Sequence, residues 1–147
     1  MTTNLNPYIA FKGDAKEAME FYRSVFGGEL RSNTFDEFQM PVGEGEGSLI
    51  MHSQLVTPGG LVLMASDTPS SMEYTPGSTI TISLSGDDTE ELRGWFEALS
   101  AGGTVTLPFE KAPWGDYYGQ FTDRFGVAWM VNGGSTADSA PGGPDGA

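Results

Sequence analysis

The chain has 147 residues, a length that suits one domain able to bury about 68–70% of its unfolded surface. It holds no cysteine and one histidine, His52, which excludes a thiol nucleophile, a disulfide framework, a cysteine-ligated metal cluster and any site built on two imidazoles of one chain. Twenty acidic residues against seven basic ones give a net charge of −13, so no basic face exists to displace counterions from a nucleic acid, and an anionic membrane repels the chain.

In chain order, Tyr8 to Phe11 is an apolar, strand-like run that turns at Gly13-Asp14. A helix is predicted over Ala15 to Phe26, with Ala18, Tyr22, Val25 and Phe26 on its apolar stripe and Phe21 alongside. Asp14 and Glu17 have the spacing of a capping box, and Gly27-Gly28 suits a left-handed C-cap. Strands follow over Leu30 to Phe38, Ser48 to Val56 and Leu61 to Ala65. An acidic glycine-rich loop, Pro41 to Gly47, and the turn Thr57-Pro58-Gly59-Gly60 separate them.

The same order then recurs about 74 residues later. Thr79 to Ser85 is a strand, Asp88 and Glu91 form the second capping box, and Thr89 to Ser100 is a helix with Leu92, Trp95, Phe96 and Leu99 on one stripe. After Gly102-Gly103 come a strand over Thr104 to Leu107, a loop through Pro108, Pro113 and Trp114, a strand over Asp116 to Thr122, and Val127 to Val131 after the turn Asp123 to Gly126. The expected fold is therefore α+β, one structural domain of two β-α-β-β-β modules (1–66 and 78–132). A linker joins them at 67–77, and a tail at 133–147 is expected to be disordered from its Gly, Ser, Ala, Pro and Asp composition.

This doubled module resembles the vicinal oxygen chelate superfamily, the glyoxalase, bleomycin-resistance and extradiol-dioxygenase group, over residues 4 to 132. The resemblance rests on the Gly13-Asp14-helix-Phe21-Tyr22 opening and the Asp123-x-x-Gly126 hairpin. The run Trp114-Gly115-x-x-Tyr118-Gly119-x-Phe121-x-Asp123-x-Phe125-Gly126-x-x-Trp129 is similar to its PhnB-like branch. The resemblance implies sheets curled into a cup-shaped cavity, and pairing of chains as a homodimer.

Metal-dependent members take His or Glu ligands from the first and last strands of each module. Counted from the capping Asp and the hairpin Gly, the matching positions hold Pro7, Met64, Thr81 and Met130. Proline offers no side-chain donor, threonine a neutral hydroxyl and methionine a soft thioether, a set unsuited to zinc, iron(II), nickel or manganese. No metal and no other cofactor is expected. A small-molecule ligand is the expected partner, with Tyr8, His52, Trp114, Tyr118 and Trp129 as its stacking and hydrogen-bonding walls. His52 suits a hydrogen-bond partner or a general base, but a histidine satisfied within its sheet, where alternation groups it with Ile50 and Gln54, is the simpler reading.

The same rings fill either a pocket wall or a core, because Tyr118 and Gln120 face one way and Tyr117, Gly119 and Phe121 the other. The acidic balance would suit an amine-bearing ligand, although solubility is the simpler account of it. The competing reading is a divalent-metal-dependent isomerase, lyase or dioxygenase of glyoxalase type, holding its ion with His52 and a carboxylate such as Glu110 or Asp116. No apolar run approaches the about 18 residues of a membrane span, and no basic segment leads into an apolar one at the start. Cytoplasmic location is the expectation.

Overall fold

A computed structural model describes residues 3–134, so the tail at 133–147 lies outside the described residues beyond Gly134. The chain divides into two compact units between Pro76 and Gly77. No helix among the described residues is long and apolar enough to cross a membrane.

The first unit runs β1 (Tyr8–Phe11), α1 (Ala15–Phe26), β2 (Glu29–Thr34), β3 (Ile50–Val56) and β4 (Val62–Asp67), with a 3₁₀ turn at Asp36–Phe38 where β2 was expected to continue. The second runs β5 (Ile82–Gly86), α2 (Thr89–Ser100), β6 (Thr104–Lys111), β7 (Tyr117–Thr122) and β8 (Ala128–Gly133). Both predicted helices have the observed limits. Each unit holds one open four-stranded mixed sheet, ordered β1-β4-β3-β2 and β5-β8-β7-β6, in which only the first strand pairs in parallel.

Each helix lies on one face of its own sheet and buries the alternate side chains there. In the first unit Ala15, Ala18, Met19, Tyr22 and Phe26 of α1 are buried along with Phe11, Leu55, Leu63 and Ala65. In the second, Phe96 of α2 meets Phe121 edge-on at 5.0 Å and Phe109 at 5.5 Å, and Phe121 stacks on Trp129. These rings, with Leu92, Leu99 and Val131, form that unit's core. Gly119 is required among them, since a Cβ there would stand 2.8 Å from the Phe109 Cα and 2.7 Å from the Phe96 ring.

The helix starts differ from the sequence expectation. At α2 the Asp88 carboxylate accepts the Glu91 N–H at 3.0 Å, as a cap should. At α1 Asp14 makes no side-chain cap. Asp67 takes its place from the end of β4: Oδ1 accepts from Gly13 and Ala15, and Oδ2 from Ile50. Local spacing cannot reveal a cap delivered from over 50 positions away, and the residue read as the first of the linker is a buried strand residue.

Two other expectations are corrected by bulges. The β2–β3 register slips between Asn33 and Thr34, which turns Ile50 into the core rather than onto the face of His52. β6 continues through Pro108 to Lys111 because it is an edge strand with irregular register, where a missing N–H costs no ladder bond.

Candidate functional site

The face of each sheet turned away from its helix carries a matched set of side chains. In the first unit the register lines up Tyr8, Met64, Gln54 and Arg31 across four strands. In the second it lines up Ser83, Met130, Gln120 and Leu107. A Gln–Met pair thus occupies the centre of both faces. Two residues earlier on the same strand as each Gln stands a ring with a polar atom, His52 in one unit and Tyr118 in the other.

Both of these rings are held by a neighbour. The Tyr8 hydroxyl lies 2.8 Å from His52 Nδ1, with the two ring centroids 5.6 Å apart. Gln120 Nε2 donates to the Tyr118 hydroxyl at 2.7 Å, and Trp114 meets the Tyr118 ring edge-on at 5.7 Å. Tyr8 is half exposed, at 51%, whereas Tyr118 is 9% exposed. Asn132 stands directly opposite Tyr118 in the β7–β8 register, is 1% exposed, and donates from Nδ2 to Oδ2 of buried Asp116 at 3.4 Å.

Four of the five expected ligand-wall residues therefore lie on these faces or beside them, as two pairs in separate units: Tyr8 with His52, and Trp114 with Tyr118. Trp129 is different. It points to the helix side, is 1% exposed, and its Nε1 donates to Asp123 Oδ2 at 2.9 Å. Asp123 also accepts from the N–H groups of Phe125 and Val127, so the hairpin motif and the tryptophan form one structural device. Gln54 and Gln120 were placed on these faces by alternation without a role, Asp116 was named only as a possible metal ligand beside His52, and Asn132 was not singled out in the sequence. The polar end of the alternation Ala128-Met130-Asn132 was the one signal available for Asn132.

The strand register places other side chains beside the two methionines of the expected metal-ligand positions. Parallel pairing sets Met64 abreast of Tyr8, and Met130 abreast of Ser83, not of Pro7 and Thr81. The last core-facing side chain of the first strand stands three residues before Asp14 (Phe11) but four before Asp88 (Leu84). Counting back from the helix therefore lands on opposite faces in the two units, since one residue of slip reverses a strand's facing.

The set that stands abreast in the register, a phenol, a hydroxyl and two thioethers, fits a hard divalent cation no better than the set read from the sequence. His52 has its Nδ1 beside the Tyr8 hydroxyl, and no cluster of three or more His, Asp or Glu able to hold an ion exists among the described residues.

The family model for the Glyoxalase/Bleomycin resistance protein/Dioxygenase superfamily matches residues 4–131. The chain belongs to that superfamily. The crystal structure of protein PA1353 from Pseudomonas aeruginosa is similar at 36% identity and a TM-score of 0.79, covering 90% of this chain and 98% of the other. Protein YjdN of Escherichia coli (strain K12) is 29% identical over 139 residues, 87% of this chain and 93% of that protein. A PhnB protein from Bacillus cereus shares the fold at 23% identity and a TM-score of 0.71, covering 89% of this chain and 99% of its own. Superfamily membership settles the architecture and leaves the chemistry to the site.

Proposed function

We propose that this chain binds a small organic molecule without a metal ion, by recognition or sequestration, using the sheet faces turned away from the helices. Trp114, Tyr118 and Gln120 serve as walls and hydrogen-bonding groups in the second module, and Tyr8 and His52 in the first. The observation that carries the reading is the sorting of the aromatic cluster. Phe96, Phe109, Phe121 and Trp129 fill the core on one face, and Trp114 and Tyr118 meet each other on the other. Rings with one or two placed polar atoms are the usual lining of a ligand site. The donor chemistry at the metal positions supports metal independence. Assembly as a homodimer belongs to the same reading.

The test is a thermal-shift and calorimetric screen of amines, carboxamides, aromatic heterocycles and oxo-acids against the full chain, with and without EDTA. Binding that survives EDTA and weakens about tenfold or more in Trp114→Ala is expected. Binding that EDTA abolishes and manganese or zinc restores overturns the proposal in favour of a metal-dependent enzyme. Sedimentation of the same sample reports the oligomeric state.

A further inference from the structure

We infer that the ligand group read by the second module is uncharged and carries both a hydrogen-bond donor and an acceptor, as a carboxamide or lactam does, and that Asn132 and Trp114 read the two. The inference rests on the proposed binding role of this face and specifies its chemistry. The Asn132 amide orientation is determined by its neighbour: Nδ2 donates to Asp116 Oδ2, and rotation of the amide would set two oxygens against each other. That leaves Asn132 Oδ1, in a side chain 1% exposed, as an acceptor with no hydrogen-bond partner. Trp114 Nε1 is likewise withdrawn from solvent, a donor with no acceptor.

Both flank Tyr118, one opposite it in register and the other edge-on to its ring. Buried donors and acceptors are almost always paired, and leaving one unpaired carries its full desolvation cost. Two of opposite kind beside one ring select what can meet them. A carboxylate offers lone pairs to Trp114 but no proton to Asn132, and brings negative charge toward Asp116 in a chain of net charge −13. An ammonium offers protons but no lone pair. A flat amide edge supplies both and can lie against the Tyr118 ring. Since both atoms are withdrawn from solvent, binding requires Trp114 to move, and its place in the turn between Ala112 and Asp116, next to Gly115, gives it the means.

The chain has three tryptophans, so its indole N–H groups give three resonances in a ¹⁵N-labelled sample, and Trp114→Phe assigns the one of interest. The probes are nicotinamide, 2-pyrrolidone and uracil, each beside a counterpart lacking the proton or carrying charge: N,N-dimethylnicotinamide, nicotinate, N-methyl-2-pyrrolidone and 1,3-dimethyluracil, all with EDTA present. The expected result is a saturable downfield shift of the Trp114 indole proton, with at least about tenfold tighter binding of one or more of the N–H-bearing amides than of its counterparts. Asn132→Leu, close in shape and without the acceptor, should erase that preference. Should that variant not fold, loss of the preference in Trp114→Phe carries the same test. Equal affinity within the pairs, or binding of other compounds of the wider screen alone, overturns this inference and leaves the broader proposal standing. Silence from every compound overturns both.

Discussion

The hydroxyl of Tyr8 on β1 reaches across β4 to Nδ1 of His52 on β3, 2.8 Å away, joining two strands that are not neighbours in the sheet. A phenol is the stronger donor and a neutral imidazole nitrogen the stronger acceptor, so the hydroxyl is expected to donate and the ring proton to sit on Nε2. Histidine ¹⁵N shifts of the neutral ring should show an unprotonated Nδ1 in the native chain and a mixed tautomer in Tyr8→Phe. Stability should change by less than about 1 kcal/mol, because the bond lies at the surface. A protonated Nδ1 in the native chain reverses this assignment.

Asp67 ties three backbone N–H groups from two separate segments to the end of β4. Asp67→Ala leaves those donors unpaired in a buried place and should cost about 3–5 kcal/mol by urea denaturation. Asp14→Ala, which removes no cap bond, should cost under about 0.5 kcal/mol. Equal losses for the two would show that Asp67 does not hold the helix.

Gly119 and Gly94 should respond in opposite directions to the same change. Gly119→Ala drives a methyl into the backbone of β6 and the Phe96 ring and should lose about 1–3 kcal/mol or more. Gly94→Ala, within α2 and with open space around it, should gain up to about 1 kcal/mol. The midpoint shift in denaturant, at constant slope, reads both.

Glu46 links the acidic loop to the segment after β4. The bond from the Ser70 hydroxyl outweighs the opposing effect of burial and, with weaker help from the backbone N–H groups of Ser70 and Gly43 and from the Lys12 charge, holds its carboxyl below the usual 4.5. A carboxyl with a lowered folded pKa adds stability above its unfolded value, and that contribution is lost as the pH falls through the folded one. The native chain should therefore lose stability more steeply below about pH 4.5 than Glu46→Gln does. Ser70→Ala should raise the Glu46 pKa measured by NMR. Parallel pH profiles for native and Glu46→Gln chains would rule this out.

The doubled β-α-β-β-β order was legible because its signals are local. The helix stripes at 3.6-residue spacing, the glycine pairs after them and the hairpin turns all recur within a few residues of the elements they bound. Gly28 and Gly103 do the same work in both halves, each letting the chain pass against the carbonyl that precedes the next hairpin, Val56 or Thr122. The cap at Asp88 was visible for the same reason, and the one at Asp67 was not, because its partners are remote in the chain.

The candidate site divides along the same line. Period-two alternation on β7 separates Tyr118 from Phe121 without a structure, and the unfitness of methionine and proline for a hard cation follows from side-chain chemistry. Which of the two faces is core, and which residue stands abreast of Met64 or Met130, depends on strand register and on the helix laid over the sheet. A slip of one residue reverses every side chain, and long-range pairing alone sets that register. That is why Trp129 fell to the core, why Tyr8 replaced Pro7 beside Met64, and why the unpaired amide oxygen of Asn132 could be found only once β7 and β8 were laid side by side.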